Sequence, residues 1–201
     1  MNTIIDTNKK IIFFGKLLAS STIILLSGRA GVGKSESARI LKRIIEGKKI
    51  TDSIMICSFA DRVKFVAKCM GWDGIKNDKG RKLLQTVGND GRDYDKDMWV
   101  KSLIEYVEKD IFVPDVTIVD DWRFPNEYEY IANLGYYNLV TIKIIAPERE
   151  ILIDKDCYND ISEISLNNFN KFDYIIDNSE SLNVLEINLT VIVDDLFRKE
   201  N

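Results

Sequence analysis

Short, continuously apolar runs alternate with stretches of helical period along most of the chain. Residues 22–26 (TIILL), 54–58 (IMICS), 116–119 (VTIV), 137–145 and 172–176 (FDYII) are rich in aliphatic and β-branched side chains and read as buried strands. Between the first two, Ala38, Leu41, Ile44 and Ile45 recur at the spacing of one helix face, and Gly47 ends the run. Val63, Phe65, Val66 and Cys69 form a similar stripe over 60–70. Residues 71–80 (GWDGIKNDKG) read as a polar loop punctuated by glycine, and 81–87 and 98–107 as two further helices. Pro125 suits the first turn of the next helix. Residues 182–198 read as the C-terminal helix, although NLTVIVDD within them is β-rich. Strands alternating with helices predict an α/β domain, a parallel sheet with helices on both faces.

One segment carries specific chemistry. Directly after the first strand, Gly28-Arg-Ala-Gly-Val-Gly-Lys-Ser35 fits the Gly-x4-Gly-Lys-Ser/Thr phosphate loop. Gly28, Gly31 and Gly33 let the backbone turn tightly, with no Cβ to block its approach to an anion. Successive N–H groups, those of Ala30 and Val32 included, can then form a nest for phosphate oxygens. Lys34 is placed to reach the β- and γ-phosphates and Ser35 to ligate Mg²⁺. The helix that begins here, with Glu36 in its first turn, aims its positive end at the same phosphates. A nucleoside triphosphate with Mg²⁺ is the expected cofactor.

Composition narrows what this site can do. The 201 residues suit one domain over 1–201. A formal net charge of −4 supplies no general field for nucleic acid. The absence of histidine leaves base chemistry to carboxylates and metal binding to oxygen ligands. Cys57, Cys69 and Cys157 lack a paired spacing and read as free thiols of a reducing compartment, hence a cytoplasmic protein. Lys9-Lys10 and IIFFGKLLAS mimic a signal peptide. Lys16 interrupts the apolar run, so a strand or short helix packed beside the first core strand is expected instead. No run is long and clean enough to suggest a membrane span, and a homodimer is compatible with the sequence.

The acid that supports Mg²⁺ in phosphate-loop proteins ends a neighbouring apolar strand. VTIVDD fits, and either Asp120 or Asp121 would serve. Alternation along the strand favours Asp120 for the metal and turns Asp121 toward a neighbour such as the helix at Pro125. Arg123 leaves the same strand end, where a guanidinium could bind phosphate or stabilise charge in transfer. A turn at Trp122 is needed to bring it back to the side of Asp120. The stretch 59–99 adds Lys64, Trp72, Arg81, Gln85, Gly91, Arg92 and Trp99, a set of cations and aromatic faces suited to a nucleotide.

These residues together resemble the phage-type deoxynucleoside monophosphate kinases, phosphate-loop enzymes related to adenylate and guanylate kinases. The likeness lies in the phosphate loop, Ser58-Phe-Ala-Asp61, Trp72-Asp-Gly74 with Gly80-Arg81 and Leu83-Leu-Gln85, Gly91-Arg92 to Trp99, and Asp120-Asp-Trp-Arg-Phe-Pro-Asn-Glu127. It spans 22 to about 196. The resemblance implies transfer of a phosphoryl group from ATP to a deoxynucleoside monophosphate. It also implies a helical monophosphate-binding insert over about 59–112 and a small lid over about 147–170. Catalytic roles fall to Lys34, Asp120 and Arg123, and acceptor contacts to the insert residues with Asn126 and Glu127. Arg81 and Arg92 are expected on the acceptor's phosphate. The chain departs from the pattern at Asp160-Ile-Ser-Glu163, where the family often has His-x-Ser-Glu, and its lid offers only Arg149 and Lys155.

Three other readings remain open. Asn170-Lys-Phe-Asp173 matches a guanine-reading motif, but it precedes its strand and no Asp-x-x-Gly follows VTIVD. A kinase of another small molecule, and an ATP-driven regulatory module without transfer, share the same phosphate loop.

Overall fold

The computed structural model describes residues 21–109, 113–150 and 161–198. Its strands are β1 (Thr22–Ser27), β2 (Ile54–Cys57), β3 (Val116–Trp122), β4 (Asn138–Ile145) and β5 (Tyr174–Asp177). Its helices are α1 (Lys34–Gly47), α2 (Phe59–Cys69), α3 (Asp78–Tyr94), α4 (Met98–Glu108), α5 (Pro125–Leu134), α6 (Pro147–Glu150), α7 (Ile161–Ile164) and α8 (Leu182–Leu196). The strands form one sheet in the order β2-β3-β1-β4-β5. Every pairing is parallel.

Alternation along the strands divides the core between two faces. Ile24, Leu26, Val116, Ile118, Ile142, Ile144 and Ile176 pack with α1 and α8. Ile23, Leu25, Val119 and Trp122 pack with α2, α4 and α5. A smaller cluster of Val63, Ala67, Val87 and Trp99 holds the helices between β2 and β3 to one another. The segment before Ser21 lies outside the described residues, as do residues 151–160 of the expected lid. Among the described residues, no helix is long and apolar enough to cross a membrane.

Three elements differ from expectation. β3 does not stop at Val119 but runs through the two aspartates to Trp122. Leu25 faces Val119 while Ser27 faces Trp122, so β3 carries one extra residue between those pairs. That bulge brings Trp122, fully buried, onto the same face as Val119, where strict alternation would put it on the other. The chain is therefore re-aimed within the strand and not by a turn after it. Next, the expected loop and short helix over 71–87 are a tight loop followed by the 17-residue helix α3. Asn77 starts it by accepting from the Gly80 N–H at 2.8 Å. Finally, β5 begins at Tyr174, because the preceding Asp173 carboxylate accepts from the N–H and the hydroxyl of Thr141 on β4, both at 2.8 Å. Asp173 of the guanine-like motif thus clips the strand at its N-terminal end, whereas the phosphate loop leaves β1 at its C-terminal end.

Candidate active site

The loop between β1 and α1 passes through two positions where only glycine fits. Gly28 has φ +146°, and a Cβ there would lie 2.2 Å from the Ile144 carbonyl oxygen. Gly33, the residue before α1, has φ +100°, and a Cβ would lie 2.6 Å from Asn178 Nδ2. Backbone is thus held where side chains cannot follow, which leaves a cradle suited to an anion. Gly31 is set by its conformation. It is exposed, a Cβ there would meet nothing within 4 Å, and it lines neither of the two cavities described below. Its φ of +78° is what calls for glycine.

Lys34 is buried, and its ammonium donates to the carbonyls of Gly28 at 2.7 Å and Arg29 at 2.8 Å. Val32 is buried, whereas Ser35 is exposed in the first turn. The Glu36 carboxylate pairs with Arg39 at 2.9 Å. Asn178 escaped the sequence reading. It is buried, and its Nδ2 donates to the Val32 carbonyl at 2.8 Å, tying the end of β5 to the phosphate loop.

The two aspartates separate as alternation requires. Asp120 follows Ile118 on the α1 side and accepts from the Ser58 hydroxyl at 2.6 Å. Asp121 faces the other side and accepts from the N–H groups of Phe59 at 2.7 Å and Ala60 at 2.9 Å. Its neighbour is thus the N-terminus of α2, not the helix at Pro125. Burial pushes the Asp121 carboxyl up to about 6, against the two backbone hydrogen bonds that favour its ionised form. Among the described residues, no group of three metal-ligating side chains occurs. A hydroxyl and one carboxylate are a poor cage for a metal alone, but they fit Mg²⁺, which keeps most of its ligands from phosphate and water.

Between α2, α3, α4 and the start of α5 lies a cavity of 290 Å³. Phe59, Val63, Leu84, Trp99 and Phe124 give it apolar walls, and Lys64, Gln85, Arg92, Arg123 and Glu127 its polar ones. Trp99 is fixed by its Nε1 donating to the Gly88 carbonyl at 3.0 Å. The Arg92 guanidinium lies 4.6 Å from the centre of the Phe124 ring. Lys64 reaches Asp61 at 2.8 Å. Glu127 folds back over the start of α5, accepting from the N–H groups of Arg123 and Phe124 at 3.0 Å each. Its carboxyl is pushed up to about 8, burial outweighing those hydrogen bonds.

Four residues expected at the acceptor do not line this cavity. Trp72 donates to the Ile75 carbonyl at 3.1 Å and packs against the small cluster of the insert. Arg81 donates to the Lys76 carbonyl at 3.1 Å, because the helix it sits in begins earlier than the loop reading assumed. Gly91 is the contact point of α3 with Trp99, where a Cβ would lie 2.4 Å from the indole. Asn126 holds the turn before α4 through Lys96 O at 2.8 Å and Asp97 Oδ1 at 3.0 Å. Trp72, Arg81 and Gly91 thus make contacts within the insert, and Asn126 ties α5 to it.

A second, smaller cavity of 120 Å³ touches Ser27, Gly28 and Arg29 of the phosphate loop. Arg123 and Ser162 line both cavities. Arg123 Nη1 donates to the Ser162 hydroxyl and carbonyl oxygens, each at 3.4 Å, so it stands between the phosphate loop and the larger cavity.

Comparison with solved structures decides the architecture. Shikimate kinase from Aquifex aeolicus aligns over 89% of this chain and 100% of its own, with a TM-score of 0.50 at 14% identity. The fold is that of the P-loop kinases. A putative kinase from Chloroflexus aurantiacus (10% identity, TM-score 0.46, 88% of this chain and 97% of its own) aligns less closely. So does shikimate kinase from Bacteroides thetaiotaomicron (16%, 0.44, 87% and 97%). In sequence, an uncharacterized protein of Ictalurid herpesvirus 1, ORF77, is 28% identical over 115 residues. That match takes in 57% of this chain and 47% of the viral protein, so it spans about half of that relative's length. No protein-family model matches the chain.

Proposed function

We propose that this P-loop kinase fold transfers the γ-phosphoryl group of ATP to a deoxynucleoside monophosphate. An oxygen of the acceptor phosphate attacks the γ-phosphorus, the bond to the β-phosphate oxygen breaks, and ADP and the deoxynucleoside diphosphate are released. The observation that carries the reading is Arg123, which walls both the compartment at the phosphate loop and the aromatic-sided cavity. A cation there can meet donor and acceptor phosphates together and offset the charge on the group in transfer. Lys34 and the loop N–H groups hold the donor. Trp99, Phe59 and Phe124 offer faces to a nucleobase and Gln85 an amide edge. Support for a deoxynucleotide as acceptor comes from the sequence resemblance. Mg²⁺, held through Ser35 and Asp120, would neutralise charge on the phosphates.

A coupled assay of ADP release with ATP and a panel of acceptors tests this. The panel contains the deoxynucleoside and ribonucleoside monophosphates, and shikimate. Turnover that depends on a deoxynucleoside monophosphate is expected. ATP hydrolysis indifferent to every acceptor, or turnover confined to shikimate, would overturn the reading.

A further inference from the structure

The smaller cavity beside the phosphate loop is bordered by three cations that come from three adjacent strand ends. Ser27 pairs with Trp122 on one side and with Lys143 on the other, so the three stand abreast across β3, β1 and β4. Arg123 follows Trp122, and Arg29 lies just beyond Ser27. With neighbouring strands about 4.8 Å apart, the cations are gathered on a narrow front. Ile142 and Ile144 enter the core under α1, so Lys143 projects from the opposite face, into a wall shared with Trp122 and Leu166. Its ammonium lies 5.2 Å from the centre of the Phe172 ring, which steadies it at the rim. Three basic side chains around one small space are the donor set that suits an anionic group.

We infer that this compartment is an anion subsite that takes the phosphate of the acceptor, with Lys143 a specificity-determining residue. The inference rests on the kinase reading. At 120 Å³ the space is less than half the 290 Å³ of the larger cavity, and it suits one anionic group. It opens through Arg123 and Ser162 toward the larger cavity, so an acceptor with its base between Trp99 and Phe124 would point its phosphate here. The faces agree, since Trp122 and Leu166 belong to the same apolar cluster as α2, α4 and α5.

The test pairs Lys143→Met, which keeps the stem, with Lys143→Arg, which keeps the charge. Inorganic phosphate is titrated calorimetrically with ADP saturating, so that the phosphate loop is filled, and KM is measured for both substrates. Lys143→Met should weaken phosphate binding about tenfold and raise the monophosphate KM by a similar factor. The KM for ATP should stay within twofold, and Lys143→Arg should retain most of the affinity. Unchanged phosphate affinity in Lys143→Met overturns the subsite. A loss confined to ATP moves the anion to the donor and overturns the acceptor assignment. The titration needs no turnover, so inactivity with every monophosphate would sink the kinase reading alone.

Discussion

Asn178 shows how much of a phosphate loop is set from outside its motif. The amide donates to Val32 from 146 positions away and sits where a side chain on Gly33 would collide with it. Asn178→Ala leaves the buried Val32 carbonyl without that donor, and a lost partner of this kind costs about 1–3 kcal/mol. The KM for ATP should rise several-fold while the acceptor KM moves little, which steady-state kinetics with each substrate varied will show. Asn178→Asp should be worse than Ala, because a carboxylate cannot donate and brings negative charge toward a cradle for anions. Equal changes in both KM values would remove the clamp from the donor site. Lys34 and Ser35 stand out in the sequence because their signal is local, a spacing within eight residues. Asn178 does not, because an asparagine after a strand reads as a turn until the fold brings Val32 beside it. Gly31 and Gly33 look alike in the motif for the same reason. Only the distant Asn178 makes one a packing position and leaves the other a turn.

Helices account for most of what the sequence misplaced. Gly80 reads as loop punctuation, and the helix expected over 81–87 stops short of Gly88 and Gly91, yet all three lie inside α3. Gly80 passes under the Trp72 indole and the Ile75 carbonyl, where a Cβ would lie 2.8 and 2.0 Å away, and Gly91 lies against Trp99. Close packing between elements, which no local pattern reports, explains these two glycines. An alanine inside a helix ordinarily gains about 1 kcal/mol over glycine. At Gly91 the clash with Trp99 reverses the sign, and Gly91→Ala should destabilise by about 1–3 kcal/mol in urea denaturation. Gly88→Ala, which meets only the mobile end of Arg92 at 3.2 Å, should be tolerated far better. The β-rich run in α8 is helical because Leu185, Leu189, Ile192 and Val193 gain a core that outweighs propensity. The start of α5 makes a pH-dependent prediction. Glu127 has its carboxyl raised from 4.5 to about 8, so the folded state favours the proton more than the unfolded state does. The contribution is therefore full below about pH 4.5 and is lost as pH rises toward 8. Glu127→Gln keeps an oxygen for the two N–H groups and removes the titration. Wild type should lose stability between about pH 5 and 8, by at most about 1.4 kcal/mol per pH unit from this group, and the glutamine variant should lack that slope. Parallel urea midpoints for the two proteins across that range would refute it.

At the scale of the molecule, the alternation of strands and helices was enough to predict a parallel sheet, and the phosphate loop enough to orient it. Strand order was beyond reach, because β1 pairs with two strands that lie far from it in sequence. That order is what places Arg123, Arg29 and Lys143 at one end of the sheet and leaves the helices α2–α4 to build the larger cavity above it. The placement of Arg123 has a thermodynamic corollary. A single guanidinium bordering two compartments makes their occupancies interdependent, and such linkage is reciprocal. Whatever factor a monophosphate imposes on the dissociation constant of ATP, ATP imposes on the monophosphate. Arg123→Ala should bring both factors toward one together, as calorimetric titrations of each ligand with and without the other will show. A coupling that survives the substitution unchanged would mean that the two sites communicate through some other part of the fold.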